Sequence, residues 1–178
     1  MEHKAIEIFE RHRIMTVATL RRDGWPQATT VGYANDGLLV YFLISRFSQK
    51  FANIARDHRV SIAIGSDFED PHDLRGLSIA ASASELTDED QRRHAYELLK
   101  ARRPALAEFP EPDFHKAAMM RARCSIITVS DYSQGFGHAD VVTLVLGRHR
   151  LAPAEQGVAA QSNYDSHVSS RWSRPSRP

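Results

Sequence analysis

Residues 14–43 pass through three β-like runs separated by turns too short to carry a strand across a sheet. The first run, 14–20, is followed by Arg21-Arg22-Asp23-Gly24-Trp25-Pro26, whose Asp-Gly pair is a hairpin signal. The second, 27–34, is followed by Asn35-Asp36-Gly37 and a third run over 38–43. Strands joined this tightly lie antiparallel as neighbours in a meander. Leu38-Leu39-Val40-Tyr41-Phe42-Leu43 is apolar at every position, which requires cover on both of its faces.

The remainder fits around that meander. Ala5, Ile8, Phe9 and His12 recur at helical spacing and predict a leading helix over 3–12. A second helix is expected over 48–56, with Phe51, Ile54 and Ala55 on one face and Asp57-His58-Arg59 ending it. Strands are expected at 60–64 and 77–85, on either side of a polar loop over 66–75. The 77–85 strand is rich in Ala and Ser, which suits close approach by a backbone, a ligand or a partner subunit.

Thr87-Asp88-Glu89-Asp90 resembles a capping box with Asp in place of the usual Glu, opening a helix to about Ala101 that buries Ala95, Leu98 and Leu99. Pro104, Pro110 and Pro112 interrupt regular structure beyond that helix. A further helical piece is expected over 113–120, and late strands over 125–130 and 139–146. From residue 152 the chain is rich in Ser, Ala, Gln, Arg and Pro without apolar periodicity, so one domain over 1–151 and a disordered tail over 152–178 are expected. Mixed antiparallel β with helical connections points to a closed or split barrel, ahead of an open α+β sheet or a sandwich.

The charges nearly cancel, with 23 basic against 22 acidic side chains, where a dedicated nucleic-acid binder would show a basic excess. Cys124 is the only cysteine, which excludes an intramolecular disulfide and a cysteine-built zinc site within one chain. Its apolar neighbours mark it as a buried, inert thiol. The nine histidines show no metal-ligand spacing, so no metal site is expected. The first residues lack the apolar core of a signal peptide and no apolar run reaches the ~18 residues of a membrane span, so a cytoplasmic location is expected.

The chemistry concentrates where the third strand hands over to the second helix. In Ser45-Arg46-Phe47-Ser48-Gln49-Lys50, Ser48 falls at the N-cap and Lys50 in the first turn. Unpaired amides and the positive end of the helix dipole, joined by Ser45, Arg46, Ser48 and Lys50, suit a phosphate. A capped surface helix with solvated cations is the competing reading. Thr29 and Thr30 place hydroxyls on opposite faces of the second strand, and Gly32 leaves room for a planar ring. That strand alone says little, since Thr is common in strands. No Ser/His/Asp order, nucleophile elbow or P-loop is present.

Ala18-Thr19-Leu20, Asp23-Gly24-x-Pro26, Thr29-Thr30-Val31, Asp36-Gly37-Leu38, Ser48-Gln49-Lys50-x-x-Asn53-Ile54 and Arg59-Val60-Ser61 occur in this order over roughly residues 5–85. In this the chain resembles the pyridoxamine 5′-phosphate oxidase-like FMN-binding split-barrel family. The resemblance implies a six-stranded antiparallel split barrel that dimerises with flavin mononucleotide at the subunit interface. It places Thr29, Thr30 and Val31 along the flavin and its ribityl chain, Ile44 and Ser45 on the next strand, and Ser48, Gln49 and Lys50 on the phosphate. Arg46 is added on chemical grounds.

The family's pyridoxamine phosphate oxidases proper carry a basic residue where this chain has Thr29 and a lysine where it has Ala34. They also carry a C-terminal tryptophan- and arginine-rich signature, of which Gly147-Arg148-His149-Arg150-Leu151 is a faint echo. The function implied is therefore an FMN-dependent oxidoreductase acting as a homodimer on a small molecule other than the vitamin B6 substrate. Haem, with His138 or His149 as ligand, the deazaflavin F420, or a flavin-binding module without turnover are the alternatives. Trp25 and Tyr33 are read as core or interface aromatics ahead of ring-stacking ones.

Overall fold

A computed structural model describes residues 1–144. Its elements are α1 (Glu2–Arg11), β1 (Ile14–Leu20), β2 (Pro26–Gly32), β3 (Ala34–Asp36), β4 (Leu39–Ser45), α2 (Gln49–Arg56), β5 (Arg59–Gly65), β6 (Arg75–Glu85), α3 (Glu89–Arg102), β7 (Ala117–Asp131) and β8 (Ala139–Thr143). The strands form one antiparallel sheet in the order β2-β1-β5-β6-β7-β4-β3, with β8 also on β7. The sheet curls until β2 comes against β4, and no ladder joins those two strands. Tyr33 carries the β1–β2 pairing one residue further, its amide donating to the Arg13 carbonyl at 3.2 Å.

The β1–β2 hairpin runs in continuous register from Ile14↔Gly32 to Leu20↔Pro26. Its turn needs a left-handed residue and has one, Gly24 at φ 86°, where a side chain would be strained. Along β5 the burial alternates strictly, Val60, Ile62 and Ile64 inward and Arg59, Ser61 and Ala63 outward, the period-2 pattern of a sheet with one covered face. Inside the curl, Met15, Val17, Phe42, Ile62, Ile79 and Ile127 are almost wholly buried, and α1 caps them with Ala5, Ile8 and Phe9. A second cluster packs α3, through Ala95, Tyr96 and Leu99, onto Tyr41 and Met119. Both faces of β4 are thus covered, with Val40, Phe42 and Ile44 on the barrel side and Leu39, Tyr41 and Leu43 toward α3.

The expected six strands are eight among the described residues. The second run breaks at Gly32-Tyr33, so 27–34 becomes β2 and the short β3. The expected helical piece over 113–120 is instead a turn, in which Lys116 and Ala117 amides reach the Asp113 carbonyl at 2.8 Å, followed by the first residues of β7. Ala117-Ala118-Met119-Met120 favours helix locally, yet it pairs along β4 and, from Met120, with β6, and that pairing overrides the local preference.

The cap of α3 is Asp88, whose carboxylate accepts from the Gln91 amide at 2.9 Å, one residue beyond the expected Thr87. Tyr96 is buried there and Leu98 only half-buried. On α2 it is Asn53, not Ala55, that joins Ile54 in the interior. The 152–178 tail, the Gly147–Leu151 echo and His149 lie outside the described residues.

Candidate functional site

The strand-to-helix junction is built by its own hydroxyls. Ser48 N and Oγ both donate to the Ser45 carbonyl, at 3.1 and 2.6 Å, and the Phe47 amide donates to Ser45 Oγ at 3.2 Å. Ser48 then caps α2 by accepting from the Phe51 amide at 3.3 Å. The amides of Gln49 and Lys50 occupy the first two helical positions, where no intrahelical acceptor exists. The first turn contains no acidic residue, so the positive end of the helix is left uncompensated. Lys50 is half-buried, and no ion pair engages its ammonium among the described residues.

The neighbouring predicted residues take different parts. Gln49 is exposed and turns along the helix, its Nε2 donating to Asn53 Oδ1 at 2.9 Å. Arg46 is fully engaged by protein. Its Nε donates to the Phe114 carbonyl at 2.9 Å, Nη1 reaches Glu85 Oε2 at 3.0 Å, and Nη2 binds Glu85 Oε1. The guanidinium also lies 5.6 Å from the centre of the Phe51 ring. The Ile44 side chain is buried in the core, while Ser45 is exposed.

β2 carries the other half of the expected site. Thr29 and Thr30 face opposite sides of the sheet as their spacing requires. Thr30 is exposed and borders a shallow outer cleft with Ile14, Thr16, Ala63 and Gly65. Among the described residues Thr29 Oγ1 is shut off from water without a hydrogen-bond partner, and Val31 packs at the margin of the core. Asn53 ties the two halves together, its Nδ2 donating to Thr19 Oγ1 at 2.9 Å and to Gln27 Oε1 at 3.2 Å. β2, the end of β4 and the start of α2 therefore border the same seam.

Asn53 and Glu85 were given no role from the sequence. A polar residue one position before Ile54 on the inward face of a short helix is the signal that pointed to Asn53. Glu85 gave none, lying 39 residues from Arg46.

The remaining candidates lie apart from the α2 start in the sequence and differ in their surroundings. Tyr33 is buried, donates to the Phe9 carbonyl at 2.8 Å and has its hydroxyl pushed up to about 12 by that burial. Trp25 is 72% exposed at the hairpin tip. His138, in the β7–β8 turn, has Nε2 3.3 Å from Asp140 Oδ2. The Cys124 thiol is buried and pushed up to about 12 by desolvation, which leaves almost no thiolate at neutral pH.

An FMN phosphate fits this donor set. Half-buried Lys50, the first-turn amides of Gln49 and Lys50 and the Ser45 hydroxyl belong to one helix start, and among the described residues Thr29 Oγ1 lacks a partner on β2.

A family model described as pyridoxamine 5′-phosphate oxidase matches residues 1–131. No curated protein matches the chain. Among solved structures, a haem-binding protein from Mycobacterium smegmatis is similar with a TM-score of 0.69 at 23% identity, covering 80% of this chain and 57% of that one. The chain thus spans little more than half of that protein's length. A protein from Listeria innocua, provisionally described as a pyridoxamine 5′-phosphate oxidase, gives a TM-score of 0.61 at 21% identity, covering 73% of this chain and 98% of that one. The haem storage protein HutZ from Vibrio cholerae gives 0.55 at 17% identity, covering 68% and 88%. At these identities the structural likeness establishes the split-barrel fold.

Proposed function

The chain belongs to the pyridoxamine 5′-phosphate oxidase family, and on that premise we propose that it is an FMN-dependent oxidoreductase acting as a homodimer on a small molecule. The observation that carries this reading is half-buried Lys50, without an ion-pair partner among the described residues, at an α2 start free of acidic residues. Lys50 and the first-turn amides hold the phosphate, Ser48 presents those amides as the cap with its own proton given to the Ser45 carbonyl, and Gln49 and Ser45 lie at the margin. The strand Thr29–Val31 lies along the ring and ribityl chain, with Thr29 and Val31 on one face and Thr30 on the other, and Thr29 Oγ1 supplies a polar atom without a partner among the described residues. Ile44 contributes through its backbone, since its side chain belongs to the core. Bound there, the isoalloxazine supplies hydride or electron acceptance, and the protein supplies position and shielding.

A dimer is supported by the outer face of the sheet. Ser61, Ala63, Ser78 and Ala80 are exposed there as small, uncharged side chains, and Ile14, Ile126 and Val141 are 53%, 43% and 57% exposed. A face of small, uncharged side chains with three exposed aliphatic ones is suited to a second copy. Ala34 speaks against the vitamin B6 substrate. The position where the family's oxidases proper carry a lysine is fully buried beneath α3.

Haem binding is the second reading, supported by the two haem-associated structural neighbours; His138, whose Nε2 now lies 3.3 Å from Asp140 Oδ2, would be the histidine to hold the iron. The absorption spectrum of the purified protein, followed by titration with FMN and with haemin, separates the two. A flavin band and saturable FMN binding support the first reading. A Soret band with no uptake of FMN replaces it with the second.

A further inference from the structure

We infer that Arg46 and Glu85 form a positioning pair for the anion site at the start of α2, acting through the junction and not on the ligand. The inference rests on the flavin reading above for the identity of the anion and on geometry for the rest. Three other segments meet at Arg46. Its amide donates to the Lys116 carbonyl at 2.9 Å, its Nε to the Phe114 carbonyl at 2.9 Å, and its two terminal nitrogens to Glu85 at the end of β6. Its guanidinium faces the ring of Phe51, the residue whose amide Ser48 caps. Arg46 sits between Ser45 and Ser48, the two residues whose hydroxyls shape the turn. Fixing Arg46 therefore fixes the direction in which α2 leaves β4, and with it the first-turn amides and Lys50.

The pair is only partly exposed, at 28% and 21% for the two side chains, and a two-pronged guanidinium–carboxylate contact is directionally demanding. It also keeps a cation from adding its charge to the ligand. With Glu85 answering Arg46, Lys50 and the helix end are the groups of this junction left to act on a terminal phosphate.

The sign of one substitution separates positioning from direct contact. If Arg46 touched the phosphate, removing the nearby negative charge with Glu85→Ala would tighten FMN binding. As a positioning pair, Glu85→Ala and Arg46→Met each weaken it, by on the order of ten-fold, the equivalent of about 1.4 kcal/mol. The double variant then weakens it no further than either single one, because both remove the same constraint.

The experiment is fluorescence titration of wild type, Glu85→Ala, Arg46→Met, Arg46→Lys and the double variant with FMN and with riboflavin. Amide hydrogen exchange of the ligand-free proteins is read over residues 45–56. The expected result is an FMN loss about ten-fold larger than any riboflavin loss, no recovery in Arg46→Lys, which lacks the fork, and faster exchange confined to the first turn of α2. Equal losses for the two flavins, tighter FMN binding in Glu85→Ala, or additive losses overturn the inference. If wild type binds neither flavin, it is the flavin reading that fails. The exchange data then decide the positioning role alone, and unchanged exchange over 45–56 overturns it.

Discussion

Asn53 on α2 donates to the hydroxyl of Thr19 on β1 at 2.9 Å, and the two residues are only 1% and 3% exposed. The same amide nitrogen reaches Gln27 Oε1 at 3.2 Å, and its carbonyl oxygen receives Gln49 at 2.9 Å. A polar group this deep is tolerable only when its partners are in place. Asn53→Ala leaves Thr19 and Gln27 without their donor and is expected to cost about 1–3 kcal/mol. Asn53→Leu does not recover it, since an apolar side chain leaves the same two groups unmatched. Urea unfolding checks this through a lower midpoint at unchanged slope. An unshifted midpoint would remove the network from the stability argument.

β5 and β6 approach closely where Gly65 faces Gly76. A Cβ at Gly76 would lie 2.8 Å from the Ile64 carbonyl oxygen, a backbone atom that cannot swing aside. At Gly65 the nearest atom would be the Arg75 carbonyl oxygen at 3.8 Å, an ordinary contact. Gly76→Ala is therefore expected to destabilise by about 1–3 kcal/mol, while Gly65→Ala stays within about 0.5 kcal/mol of wild type. Thermal melts of the two variants side by side test the asymmetry, and equal losses would contradict it.

The parts of the fold that were readable are those decided within a few residues. Asp23-Gly24 and Asn35-Asp36-Gly37 turn the chain with little help from elsewhere, so β1, β2 and β4 could be placed from the string. Ser48 caps α2 as expected because a cap is a three-residue interaction. The start of β7 was not readable, because Ala117-Ala118-Met119-Met120 becomes a strand only through partners more than seventy residues earlier on β4. Arg46 could be named as a cation of interest but not paired, since Glu85 enters its neighbourhood only when β6 and β4 flank the same end of β7. Asn53 stood in the Ser48-to-Ile54 motif, yet its burial depends on the underside of β1.

Asp131 gives the protein an acid-sensitive joint at the far end of β6 and β7. Side-chain hydrogen bonds from Ser133 at 2.6 Å and Gln134 at 2.7 Å, with the Arg75 guanidinium at 3.3 Å, hold its carboxyl down to about 2. Lys4 of α1 stands 4.0 Å away. A carboxylate whose folded value lies below its unfolded value of about 3.9 contributes stability above that pH and loses it as the pH falls toward 2. Asp131→Asn should therefore melt lower than wild type at pH 7. The gap between them should close from about pH 4 to pH 2, as the wild-type carboxylate protonates. Melting temperatures across that range test it, and a gap that persists at pH 2 would count against Asp131 as the source.

Lys50 has no protein partner to lose among the described residues, which makes its replacement a clean probe of the junction. Lys50→Ala, which puts a better helix former in the first turn of α2, should leave the melting temperature of the ligand-free protein nearly unchanged. FMN affinity should fall by roughly ten- to a hundred-fold, the loss of a hydrogen bond to a charged group worth about 1.5–3 kcal/mol. Riboflavin, which has the same ring and no phosphate, should bind both proteins alike. The stabilisation that saturating FMN gives the wild type should shrink in step, because it scales with the logarithm of ligand concentration over Kd. Raising the ionic strength should narrow the difference between the two proteins, since a charge contact at a half-open site is screened. An alanine variant that holds FMN as tightly as wild type would place the phosphate elsewhere and detach the flavin reading from the start of α2.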